Sequence, residues 1–353
     1  MKAAVYHGNR DIRIEAMPEP GKPGPDEIIL EVLRGAICGT DVTEYLYGPH
    51  FAPLTERHPA SGHIGPMILG HEFVGRIVEV GAEVDGFKVG QRVVPGAGAW
   101  CGKCKWCLAG RVNLCTNYFV FGLSAHGGLA EMAEIPAYMC QVVPDACSDD
   151  AAAMGQPLAV ALHAVERSKA QAGQVIGLMG VGGIGSFILA AAHAQKLGPI
   201  VAIDIDDERL ARATGLGATH LINARREEPV QALRRLTDGL GVEVFIEASG
   251  APFGPSTALA ATQKGGHILI VGMQAEPRPI DLHDMTYREI TMTTTVAHVC
   301  QADLPKSLEI LATTDLAATV LDSVIPLEGL VDDGIMALAG GRAKGKIVVN
   351  PQQ

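Results

Sequence analysis

An α/β fold is predicted for this chain: a doubly wound parallel sheet in the middle of the sequence, combined with a β-rich part that precedes it. Three observations carry the prediction. The loop Gly180-Val181-Gly182-Gly183-Ile184-Gly185 lies between an apolar strand and an alanine-rich helix. Strand and helix patterns then alternate as far as Val271. Residues 1–155, by contrast, show short strands, frequent glycine and proline, and few helical stretches.

Within the alternating part, residues 175–179 read as a buried strand and 186–197 as the helix after the glycine loop. The first glycine of a G-x-G-x-x-G loop permits a tight turn, the second lets backbone approach a pyrophosphate, and the third allows close helix–strand packing. Residues 200–204 form the next strand, ending in Asp204, nineteen residues after Gly185. A carboxylate there can accept hydrogen bonds from an adenosine ribose and repels a 2′-phosphate, which favours NAD over NADP. Asp206, Asp207 and Glu208 add negative charge, and Arg209 is the one nearby base. Further strands are expected at 220–223, 242–248 and 267–271, with helices at 225–237 and 256–263. Val271-Gly272-Met273 closes the fifth strand, where a nicotinamide should lie.

At 353 residues the chain is long enough for two domains, and 48% hydrophobic with 19% charged residues suits a globular protein. Its formal net charge of −11 argues against nucleic acid or an anionic membrane as partner. Residues 170–195 carry no formal charge, a length that could span a bilayer. The glycines at 177, 180, 182, 183 and 185 fit a soluble βα turn better. The opening MKAAVYHGNR has no apolar stretch of the secretory type, so a cytoplasmic setting is expected.

Four cysteines fall in fifteen residues, Cys101-x2-Cys104-x2-Cys107-x7-Cys115. Thiolates at this spacing can close on one Zn²⁺ tetrahedron, and four sulfurs leave no open position, so such a metal stiffens a lobe rather than doing chemistry. Zinc is favoured over disulfides because a reducing compartment is expected. Cys140, Cys147 and Cys300 have no partner spacing and read as buried structural thiols. Two more motifs stand out: Cys38-Gly-Thr40-Asp41 and Gly70-His71-Glu72. Thiolate and imidazole are zinc-type ligands, and fewer than four protein ligands leave a place for substrate.

With these motifs in order, the chain resembles the zinc-dependent medium-chain dehydrogenase/reductase superfamily over essentially its full length. The matching residues are Cys38-Gly-Thr-Asp, Gly70-His-Glu-Phe-Val-Gly75, Val80-Gly81, the four-cysteine lobe and the glycine loop. His58-Pro-Ala-Ser-Gly62 and Gln156-Pro-Leu-Ala-Val are most similar to the butanediol/sorbitol/threonine dehydrogenase branch. The resemblance implies a GroES-like catalytic domain from residues 1–155 and 297–353, with a Rossmann NAD-binding domain at 156–296 inserted between. It also implies two zinc ions per subunit, an alcohol or ketone substrate, and a homodimer or homotetramer. Cys38 and His71 would ligate the catalytic zinc, and Glu72 would be a ligand or a carboxylate close behind. Thr40 would hydrogen-bond the substrate oxygen and pass its proton toward the cofactor ribose.

Two positions depart from that branch. Gln156 stands where a glutamate normally precedes Pro-Leu, and Thr43 stands where the proton relay usually has histidine. Gln156 is expected at the catalytic zinc, through its carbonyl oxygen or a water. Losing a carboxylate there leaves zinc a stronger Lewis acid but less firmly held. His50, His58 and His63, with Tyr45 and Phe51, are expected at the rim of the substrate pocket, and His163 in the core. The expected activity is hydride transfer between a secondary alcohol and NAD. Redox-neutral epimerisation or elimination, and a non-catalytic NAD-binding role, are the competing readings.

Overall fold

The computed structural model describes residues 1–353 and divides into two compact units, residues 1–159 with 299–353, and residues 160–298. The expected divisions at 155/156 and 296/297 fall slightly earlier. No loop marks the first one, because the helix Gly155–Ser168 runs straight through it.

The first unit is built on a seven-stranded sheet. Its path runs Cys140–Val142, Arg92–Pro95, Glu72–Val80, Glu27–Ala36, Lys346–Asn350 and Leu321–Pro326, and Met132–Pro136 also pairs with Glu27–Ala36. A three-stranded sheet of Asp11–Ala16, Lys2–Gly8 and Met67–Ile68 accompanies it. In the strand Glu27–Ala36 the alternate residues Ile28, Leu30 and Val32 are fully buried against Phe73, Ile77 and Val93. Register then brings distant residues together: Glu72 lies opposite Ala36, and Ala36 opposite Val348. Lys346, two residues before Val348, shares its face of the sheet.

In the second unit all six strands are parallel, in the order His220–Asn223, Gly198–Asp204, Ala172–Met179, Val242–Glu247, Thr262–Ile270, Thr291–Thr294. Buried runs such as Ile200 to Ile203 show no alternation, as expected for a sheet covered on both faces. The chain order reverses beside Ala172–Met179, so the ligand crevice of a doubly wound sheet belongs at the carboxyl ends of Ala172–Met179 and Val242–Glu247.

Several boundaries differ from expectation. The helix after the glycine loop is Gly183–Ala194, three residues earlier, because Gly183 and Gly185 form its first turn. The helix expected at 225–237 is Pro229–Leu236, started by the Glu228 side chain, which accepts from Val230 N and Gln231 N, and by Pro229. The helix expected at 256–263 is Gly254–Ala261, because Thr262 already pairs with Val242. The sixth strand, Thr291–Thr294, was not foreseen. No helix is long and apolar enough to cross a membrane; the uncharged run at 170–195 is a strand, the glycine loop and a helix.

Candidate active site and metal centres

Cys38 stands at the N-cap of the helix Gly39–Tyr47, and the Asp41 Oδ2 accepts a hydrogen bond from Cys38 N at 2.8 Å. His71 directly precedes the strand Glu72–Val80, which pairs with Glu27–Ala36 just ahead of Cys38. One ligand atom each of Cys38, His71 and Glu72 lies within 4.8 Å of the others, and His71 and Glu72 are buried. The structure therefore brings these three predicted residues together. Thr40 joins them, with its Oγ1 3.6 Å from Cys38 Sγ.

Two residues without a predicted role complete the pocket. Asp41 is fully buried, with Oδ1 3.6 Å from His71 Nδ1, which directs the other ring nitrogen elsewhere. The Lys346 ammonium makes an ion pair with Glu72 Oε2, and both side chains are buried. With Cys38, Asp41 and Glu72 ionised and His71 neutral, as a metal-ligating imidazole must be, three negative charges face the one positive charge of Lys346, an excess of two that a divalent cation neutralises. Burial alone disfavours a charged His71, yet Cys38, Asp41 and Glu72 raise its pKa to about 10. Lys346 behaves alike: burial lowers its pKa, but Glu72 and Cys38 raise it above the usual value. The pocket attracts positive charge, and its donors fit zinc. Asp41 was legible as the third residue after an N-cap. Lys346 had a weaker signal, a lone cation heading the fully buried strand Lys346–Asn350.

In the cysteine lobe, the four sulfurs of Cys101, Cys104, Cys107 and Cys115 lie within 4.8 Å of one another. The Cys104 and Cys107 sulfurs are 3.6 Å apart, close to the edge of about 3.8 Å for a tetrahedron with zinc–sulfur arms of about 2.3 Å. Backbone N–H groups of Cys107 and Thr116 pull the Cys104 thiol down to about 5, toward the thiolate a metal needs. Cys101 N and Asn117 N both donate to Cys115 Sγ at 3.3 Å. All eight cysteines are free thiols. Cys147 and Cys300 are buried as expected, and Cys140 is half-buried.

At the glycine loop, Gly180 adopts φ +89°, and a Cβ there would lie 2.7 Å from Ser249 backbone. No side chain caps the helix Gly183–Ala194, so its first-turn N–H groups are open to an anion such as a pyrophosphate. Asp204 accepts from Val181 N at 2.9 Å through Oδ2, and from Ile205 N and Asp206 N through Oδ1. The buried carboxylate therefore braces the glycine loop against the end of its own strand. Arg209 lies 4.0 Å from Asp204, with its guanidinium beside Gly182. Val271 follows directly on the strand Thr262–Ile270, and Met273 is strongly exposed.

The remaining predicted residues are scattered. Gln156 is buried in the first turn of the helix Gly155–Ser168. The Thr43 hydroxyl donates to Gly39 O at 3.0 Å, so its proton is held by the helix. His50 and Phe51 are exposed, whereas Tyr45 is half-buried and packs against the core cluster that contains Tyr6 and Leu69. His58 Nδ1 accepts from Ala60 N and Ser61 N, and His63 stacks edge-on against His126 with ring centroids 4.7 Å apart. His163 is buried, as expected.

Comparison with known proteins agrees with this geometry. Residues 24–145 match the family model "Alcohol dehydrogenase GroES-like domain" and residues 183–313 the model "Zinc-binding dehydrogenase". Sorbitol dehydrogenase of Bacillus subtilis (strain 168) is 37% identical over 277 residues, 78% of this chain and 76% of the relative. A crystal structure of 2R,3R-butanediol dehydrogenase from Bacillus subtilis superposes with a TM-score of 0.90 at 31% identity, covering 99% of each chain. A zinc-binding dehydrogenase from Sinorhizobium meliloti 1021 bound to NADP gives 0.85 at 28% identity, again over 99% of each chain. With both halves matched in order and similarity to dehydrogenases running from end to end, the chain belongs to the zinc-binding alcohol dehydrogenase family and is an oxidoreductase.

Proposed function

We propose that the protein is an NAD(H)- and zinc-dependent dehydrogenase of secondary alcohols of the vicinal diol, hydroxyketone or polyol type, with two zinc ions per subunit. The observation that carries this reading is the excess negative charge of half-buried Cys38 with the buried Asp41, Glu72 and Lys346 beside His71. The relatives named for butanediol and sorbitol support the substrate class. Zinc held by Cys38 and His71 would supply Lewis acidity to an alcohol oxygen, and NAD held at the glycine loop would supply the hydride acceptor. The rest falls to the chain. Cys38 and His71 hold the cation, while Lys346 holds Glu72. The Thr40 hydroxyl accepts a hydrogen bond from the alcohol and passes its own proton on toward the cofactor ribose and water, and the uncapped helix after the glycine loop holds the pyrophosphate. The four-cysteine lobe keeps a structural zinc. Eight free thiols suit a reducing, cytoplasmic setting, and a homodimer or homotetramer is proposed on family likeness.

NADH formation across a panel of diols and polyols, with zinc counted per chain, tests the reading. Turnover with two zinc ions supports it. No turnover with one zinc in the cysteine lobe overturns it. NADH that forms but never accumulates points to redox-neutral chemistry instead.

Gln156 is proposed to lie at the catalytic zinc. Gln156→Glu then adds a negative charge to a pocket that zinc already neutralises. Zinc retention against a chelator should rise about tenfold, and alcohol oxidation should reach half its maximal rate at higher pH. Equal retention and an unchanged profile reject this role.

NAD is proposed over NADP because Asp204 ends the strand that follows the glycine-loop helix, where a carboxylate can accept from an adenosine ribose, and the NADP on the Sinorhizobium relative makes the choice one of residues, not fold. Asp204→Ala should lower the NAD:NADP ratio of kcat/KM by about tenfold or more, the worth of a charged hydrogen bond. A ratio unchanged from the wild type removes Asp204 from cofactor selection.

A further inference from the structure

Glu247 ends the strand Val242–Glu247 at the reversal point of the parallel sheet, with Met179 and Ile270 as its register neighbours. It is completely buried. Its Oε1 accepts from Ser249 N at 2.9 Å, Gly250 N at 3.0 Å and the Ser249 hydroxyl. Its main-chain carbonyl accepts from Val271 N at 2.8 Å and Gly272 N at 2.9 Å. Oε2 has no hydrogen-bond partner and lies against Gly272, where a Cβ would come within 2.6 Å of it. Ser249 in turn closes on Gly180, the first glycine of the loop. The carboxyl group thus ties down the Ser249–Gly250 turn and abuts Gly272, Ser249 carries the contact on to Gly180, and the main-chain carbonyl of the same residue holds the Val271–Gly272 turn.

We propose that the Glu247 carboxyl is a positioning group for the dinucleotide: it fixes the Ser249–Gly250 turn between Gly180 and Gly272, and so shapes the nicotinamide-riboside side of the cofactor site. The proposal rests on residues 160–298 binding the dinucleotide. A hydrocarbon of the same size would fill the space but leave the Ser249 and Gly250 N–H groups without acceptors. Burial pushes the Glu247 carboxyl up, and the Ser249 and Gly250 hydrogen bonds only partly oppose this. Glutamine copies the shape of the neutral acid and keeps the accepting oxygen.

The test is calorimetric titration of NAD, and of ADP, which lacks the nicotinamide riboside, into wild type, Glu247→Ala and Glu247→Gln. KM for NAD and for the alcohol, and zinc content, are measured alongside. Glu247→Ala should weaken NAD by about tenfold, with ADP affinity, KM for alcohol and zinc content within about threefold of wild type. Glu247→Gln should restore NAD affinity to within about threefold. Unchanged NAD affinity in the alanine variant overturns the proposal, as does equal weakening of NAD and ADP, or a glutamine variant as weak as alanine. If the alanine variant does not fold, Ser249→Ala, which removes one donor, replaces it with an expected loss of about threefold for NAD alone. A wild-type protein that binds no NAD would instead remove the dinucleotide reading itself.

Discussion

Replacing Lys346 with methionine is expected to destabilise the first unit by about 3–5 kcal/mol, the cost of leaving a buried partner charge uncompensated. The ammonium and Glu72 form an ion pair with both side chains buried, and the strand Lys346–Asn350 offers no other cation. Methionine fills the volume but not the charge. The double variant Glu72→Gln/Lys346→Met should recover much of the loss, because removing both charges is far cheaper than removing one. Both tryptophans of the chain, Trp100 and Trp106, lie in the first unit, so their fluorescence during urea unfolding reports on that unit alone. A midpoint for Lys346→Met equal to that of the wild type would show that Glu72 does not depend on Lys346.

Thr40→Ala is expected to reduce kcat for alcohol oxidation by about 10²–10⁴-fold, the range for loss of a proton-transferring group. Its hydroxyl lies beside Cys38 Sγ, and Thr43 cannot substitute, since its own hydroxyl is bound to Gly39 O. Thr40→Ser should keep most of the rate, and zinc content should not change in either variant. An unimpaired rate in Thr40→Ala would rule out proton release through this side chain.

Parts of this site were legible because their chemistry is local in sequence. The cysteine lobe and the glycine loop each bring their groups together within one short segment, so spacing alone carries the geometry. Cys38 and His71 were legible as zinc-type residues in motifs. Lys346 was not, because it reaches Glu72 only through the pairing of Glu72–Val80, Glu27–Ala36 and Lys346–Asn350, and strand pairing across such separations leaves no periodic trace. The strand Thr291–Thr294 was missed for a related reason: three threonines and one methionine at a sheet edge show no buried run. Glu247 looked like the polar end of an ordinary strand until the turns around it were in place. Helix starts shifted where a glycine or Pro229 occupies the first turn, a signal present in the sequence but outweighed by apolar periodicity.

The placement of Lys346–Asn350 inside the seven-stranded sheet also bears on biosynthesis. Residues 160–298 form a contiguous stretch that a ribosome can complete and let fold while translation continues. The first unit cannot close its seven-stranded sheet until residues 346–350 have been made and pair with Glu27–Ala36 and Leu321–Pro326. Newly made chains should therefore fold residues 160–298 before the first unit completes its sheet, and a truncation that removes Lys346–Asn350 should be far more damaging than the few lost residues suggest.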